Sequence, residues 1–257
     1  MEPSREIPGH LTALVRHTEQ LIGAFLAGID FIIRDTSRDP GYSDTHLLSY
    51  TALDYLQSAI TLPMLIREGI HNVCRRELRF ILEMSIKLCR IQQQDYKADI
   101  ATKLISLKTT LDTTNISMQK QIHLTLLPEA QRAVFYEEVG RLYGQTSEYV
   151  HWTSAQIHER IAMVDQGRTS GDESAEDIRN LNSLIARGLA ASFVFLFHSV
   201  PEYVAGDFLV ESDGASLDWP FSRSRFMAHI DECFDYKHER KERLEGIRLK
   251  RWAAVSY

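Results

Sequence analysis

Tyr143, Ser147 and His151 are spaced four residues apart, which on a helix sets a phenol, a hydroxyl and an imidazole in one nearly aligned row. Gly140 and Gly144 lie beside that row and leave room for another backbone to approach. A histidine at the end of such a groove can act as general acid or base near neutral pH, with Ser147 and Tyr143 orienting it or binding a substrate oxygen. Read as packing instead, Tyr143 belongs to the core and His151 caps a helix C-terminus, where the dipole favours it. Ordinary satisfied side chains outnumber catalytic ones, so packing is the reading that so short a motif has to beat.

A second group falls on an earlier helix. Arg79 and Glu83 are four apart and can pair, and Arg76 with Arg79 can hold a phosphate. The plainer reading is a solvated polar face. Glu77 stands inside the apolar arc of the same helix, where a carboxylate needs a partner or a raised pKa. His151, Tyr143 or an arginine from another helix would serve, and pairing with His151 would make an acid/base unit. Alternatively the helix is rotated and Glu77 sits at a boundary.

Two further patterns lie near the C-terminus. His229 and Cys233 are four apart and can share a metal, but no second ligand pair accompanies them and a solvated helix is the better reading, so no metal or other cofactor is expected. From Lys237 to Arg251, seven basic residues face three acidic ones (Glu239, Glu242 and Glu245), and Trp252 follows. This is the best local candidate for touching nucleic acid or an acidic partner. The alternative, favoured because the signs interleave, is an exposed helix laced with pairs such as Glu239 with Arg243.

The elements that must position these groups all read as helices. Leu11, Leu14, Val15, Thr18, Leu21, Ile22, Phe25, Ile29 and Ile32 recur at three and four and predict a helix over about 8–34. A second starts near Ser43 or Asp44 and is kinked or ended by Pro63. A third, over about 70–94, has so wide an apolar arc that it belongs near the centre of a bundle. After a weaker stretch over 95–127, a helix opens at Pro128-Glu129 and runs to about His151, and a short one follows over about 153–163. Residues 166–174 are the clearest loop. Ser174 and Asp177 resemble a capping box that opens a long apolar helix to about Ser199. The last helix is expected from about Ser222 to Leu249. No run alternates with period two for long enough to make a strand.

The expected fold is therefore all-α: an irregular antiparallel bundle of six to eight helices, with a main bundle over 8–165 and a helical C-terminal extension over 175–257 packed on it. Gly (13) and Pro (7) are scarce in 257 residues, in keeping with few, long elements. A net charge of −6 excludes a global basic field for nucleic acid. Cys74, Cys89 and Cys233 form no CxxC pair and read as reduced thiols of a cytoplasmic protein. The first ten residues hold no apolar signal core, and the most apolar window, 184–200, contains Arg187 and His198 and reads as a buried core helix, so no membrane is expected as a partner. Phosphate loops, GxSxG elbows and dinucleotide fingerprints are absent.

Arg79-Phe-Ile-Leu-Glu83 on one central helix and Tyr143-Gly-Gln-Thr-Ser147-Glu-Tyr-Val-His151 on a later one resemble a group of bacterial all-helical proteins that carry an Arg-x-x-x-Glu helix before a Tyr-x-x-x-Ser-x-x-x-His helix. The resemblance covers about residues 45–165, and that group is loosely similar to HEPN-type domains. Many of those are ribonucleases of toxin–antitoxin or antiphage systems, with an Arg-x(4–6)-His motif and a composite site across a dimer. The resemblance implies a protein acting on RNA in defence or stress, possible homodimerisation, His151 and Glu77 as catalytic groups, and Arg76, Arg79, Glu83, Tyr143 and Ser147 as substrate-binding groups. The chain departs from the motif: the nearest arginine before His151 is Arg141, ten residues away. A non-enzymatic helical module that binds a protein partner or self-associates is the alternative function.

Overall fold

The computed structural model describes residues 8–111, 121–150, 153–168 and 174–257. Among them are eleven α-helices and no strand; one isolated bridge joins Val210 to Ser216. The helices are α1 (Thr12–Thr36), α2 (Tyr42–Thr45), α3 (Leu48–Arg67), α4 (His71–Gln94), α5 (Ile100–Leu111), α6 (Glu129–Ser147), α7 (Ser154–Asp165), α8 (Ala175–Phe197), α9 (Glu202–Leu209), α10 (Arg225–Glu232) and α11 (Leu244–Ala254). The all-α architecture is as expected, and the number exceeds six to eight because short pieces such as α2, α9 and α10 stand as separate helices.

α8 forms the centre, packed against α1, α4, α6, α9 and α10. The capping box opens it as the sequence predicts: the Ser174 hydroxyl accepts from the Asp177 N–H, and the Asp177 carboxylate accepts from the Ser174 N–H. From Gly188 to Phe197 every residue is buried, the environment that a helix apolar on all sides requires. It is long and apolar enough to cross a membrane by composition, yet 83% of its most apolar window is buried inside the protein. Gly188 sets the closest approach to α4, because a Cβ there would lie 2.9 Å from the Leu78 side chain.

Three polar clasps fix the register of these apolar faces. Thr18 of α1 donates to the Asn182 side-chain oxygen of α8 at 2.6 Å, and the Asn182 amide donates back to the Leu14 carbonyl. Tyr55 of α3 and Ser85 of α4 share a buried hydrogen bond of 2.9 Å, worth about 1 kcal/mol net. Arg187 of α8 meets Glu138 of α6 at 2.6 Å, which accounts for the charge inside the apolar window. α3 continues to Arg67, past Pro63.

The last segment differs from the single exposed helix expected over 222–249. α10 ends at Glu232, turns carry the chain through Arg243, and α11 returns as far as Ala254. The reason is a set of charges that face inward. Arg240 is fully buried and contacts Asp231 at 2.5 Å and Asp235 at 3.2 Å. Arg251 contacts the same two carboxylates, and Arg248 reaches Asp235 at 2.9 Å from the surface. Gly214, at φ 81°, is part of this closure: a Cβ there would lie 2.2 Å from the Glu239 carbonyl oxygen, while its own carbonyl accepts from Arg240. Arg243 pairs with Asp213 at 2.9 Å, not with Glu239.

Candidate functional site

The polar face of α4 lies against α6, and there the residues singled out separately in the sequence meet. Arg79 donates one Nη to the Ser147 hydroxyl and the other to the Tyr143 hydroxyl at 2.6 Å, with its carbon 3.9 Å from the centre of the Tyr143 ring. Its Nε is 3.7 Å from Glu83, whose carboxylate also takes Lys87 at 2.7 Å. Ser147 in turn donates to the Tyr143 carbonyl one helical turn back. The Arg-x-x-x-Glu and Tyr-x-x-x-Ser pairs thus form one connected clamp between two helices. Burial raises the Tyr143 phenol above its ordinary pKa, and the Arg79 charge opposes the rise, so at neutral pH it is a protonated hydrogen-bonding group.

Gly140 and Gly144 admit no neighbouring backbone: among the described residues nothing lies within 4 Å of a Cβ built on either. The α6 helix ends at Ser147, followed by turns at 148–150, and His151 lies outside the described residues. Glu77, inside α4, is half-buried and makes no ion pair among the described residues. It is two positions from Arg79, about 200° around α4, so the two project from different faces.

The same seam continues into a cleft of about 350 Å³ between the N-terminal turn of α4 and α7. Arg76 lines it, with its Nε donating to the Tyr149 carbonyl. Arg75 lies 4.3 Å over the Tyr149 ring and donates to Asn72 at 3.0 Å. Arg160 of α7 and Arg168 complete four arginines against two carboxylates, Glu159 and Asp177. Arg168 pairs with Asp177 at 2.6 Å, whereas Arg160 is exposed and makes no ion pair among the described residues. At the α4 N-terminus Ile70 supplies no side-chain cap, and the positive end of the helix dipole faces the cleft. His71 opens the helix. Burial, reinforced by Arg75, lowers its pKa to about 4, so the ring is neutral at pH 7, and its Nε2, itself buried, has no hydrogen-bond partner among the described residues.

His71, Arg75, Tyr149, Arg160 and Arg168 were not legible as a site. The Arg75-Arg76 doublet is visible in the sequence, but only the docking of α7 beside the start of α4 gathers the rest. The other candidates stay apart. Cys233 donates its thiol to the Leu126 carbonyl at 3.1 Å, and His229 packs edge-on against Trp252, 4.7 Å between ring centres, with Glu232 3.4 Å away. In the basic run Arg240 and Arg251 are buried in ion pairs, so the patch is less basic at its surface than its composition. No family model, no curated protein and no solved structure matches this chain.

Proposed function

We propose that this is a helical protein acting on RNA, HEPN-like in the sense of the resemblance above and serving bacterial defence or stress. The observation that carries this reading is the arginine-rich cleft at the α4 N-terminus. It offers an excess of guanidinium charge beside a helix N-terminus that has no side-chain cap, a combination suited to phosphate oxygens. Arg76 and Arg160 are the phosphate-holding groups. Arg79 is a positioning residue, since its donors are already used by Ser147, Tyr143 and Glu83, and it fixes the end of α6 from which the chain leads through Tyr149 to His151. His151 is the acid/base group, taking a proton from an attacking ribose hydroxyl or giving one to the leaving oxygen. Glu77 is outside the cleft lining and has no step in this scheme.

The contacts of Arg79 favour a second reading. A guanidinium whose hydrogen bonds to Ser147 and Tyr143 and ion pair with Glu83 all tie helices together is explained by packing alone, as in an interaction module without chemistry. RNA cleavage by purified wild type beside His151→Ala, with folding of both checked by circular dichroism, separates the two. Cleavage lost in a folded variant supports the enzyme. No cleavage by either protein across several RNA classes supports the module.

A further inference from the structure

α3 is apolar on all sides: of its twenty residues, Asp54 and Arg67 alone carry a charge. A helix of that kind is normally buried all round, and α8 is. α3 is not. One side packs on α1 and α4, while Tyr50, Leu53, Leu56, Ile60 and Met64 on the other are exposed, Tyr50 and Met64 by 62% each. Ile70, just beyond the helix, and Phe80, on α4 between the Cys74–Leu62 and Ser85–Tyr55 tethers, are exposed as well. α7 also exposes Ile157, Ile161 and Val164, but His158, Glu159 and Arg160 interrupt them.

We infer that the outer face of α3 is the interface of a symmetric homodimer, in which the helix packs antiparallel against its own copy. Two observations select a second copy as the occupant. The first is area: weighted by exposure, these seven side chains offer roughly 700 Å², close to the about 800 Å² that each partner gives to a standard interface. The second is self-complementarity, which a twofold axis requires. An axis passing between the two Ile60 side chains sets Ile60 against itself and Leu56 level with Met64, both within α3. Segments 1–7 and 112–120 are poor alternative covers on composition, holding three large aliphatic side chains beyond the initial Met: Ile7, Ile116 and Met118.

The inference is independent of the RNA reading, and its test is the mass of the full chain in solution. Sedimentation equilibrium from 1 to 50 μM is expected to give twice the 29.5 kDa chain mass for the wild type. Ile60→Glu buries two unpaired carboxylates at the axis and should weaken association by about 100-fold or more, with an unchanged circular dichroism spectrum because the position is exposed. Leu56→Glu and Met64→Glu, which lie level with each other across the same axis, should each weaken it as well. A monomeric wild type across this range, or a dimer that survives Ile60→Glu, overturns the inference. Failure of Leu56→Glu and Met64→Glu to weaken association overturns the antiparallel register centred on Ile60.

Discussion

Two regions of this molecule gather arginines, and they do so in opposite ways. At the C-terminus Arg240 and Arg251 lie between Asp231 and Asp235, out of water, with the Gly214 carbonyl taking a further donor. The buried charges balance and the donors are used. At the start of α4, Arg75, Arg76, Arg160 and Arg168 line an open cleft with two carboxylates and a helix end that has no side-chain cap. The charges there do not balance. The comparison teaches that compensation, rather than the presence of arginine, separates a cluster that holds the fold from one that is open to a ligand.

The strongest way to break the first half of this contrast is to remove one member of the closed cluster. Arg240→Ala leaves two buried carboxylates short of a partner and should cost about 3–5 kcal/mol of stability in denaturant unfolding. A loss below about 1 kcal/mol would mean that the cluster is not a closed unit.

The histidines sharpen the same contrast through pH. His46 accepts from the Leu48 N–H and donates to the Ser199 carbonyl, and His198 accepts from the Leu126 N–H and donates to the Val194 carbonyl, so both buried rings are neutral and saturated. Burial lowers each to about pKa 4, against 6.5 in an unfolded chain. Between those values the unfolded state binds more protons than the folded one, so stability falls as pH drops from 6.5 towards 4. By pH 5 the loss should be about 2 kcal/mol for each ring, read as a fall in unfolding free energy between pH 7 and pH 5. A flat profile over that interval would contradict the saturated state of these rings.

Arg79 is intermediate: structural in its contacts, yet at the edge of the open cleft. Arg79→Ala should cost about 1–2 kcal/mol, and a double-mutant cycle with Tyr143→Phe should show coupling of about 1 kcal/mol. Arg79→Lys should not restore it, because an ammonium cannot reach Ser147 and Tyr143 together while lying over the ring. Arg160→Ala should change stability least, within about 0.5 kcal/mol, since the side chain is exposed and makes no ion pair among the described residues.

Much of the fold was legible because hydrophobic spacing is local. The stripe from Leu11 to Ile32, the wide arc of α4 and the Ser174–Asp177 box each specify an element from neighbouring residues. The C-terminal segment was not legible, because its charges interleave like those of a solvated helix and only the tertiary partners Asp231 and Gly214 reveal that Arg240 turns inward. The clamp residues were picked out, but their meeting was not, since nothing in a single sequence joins residue 79 to residues 143 and 147. The cleft depends on α7 residues lining the same space as His71, positions some ninety residues apart in sequence. The open face of α3 was missed for the converse reason: an apolar helix reads as buried, and the sequence does not say by what.

The most direct test of the central claim measures stability and RNA binding together for Arg160→Ala and Arg76→Ala. Both variants should stay folded, Arg160→Ala within about 0.5 kcal/mol of wild type and Arg76→Ala within about 1.5 kcal/mol because it loses the Tyr149 carbonyl, and both should bind single-stranded RNA more weakly, each lowering the slope of log affinity against log salt by about 1. Wild-type affinity and salt dependence in both folded variants would contradict the claim that this cleft holds phosphate.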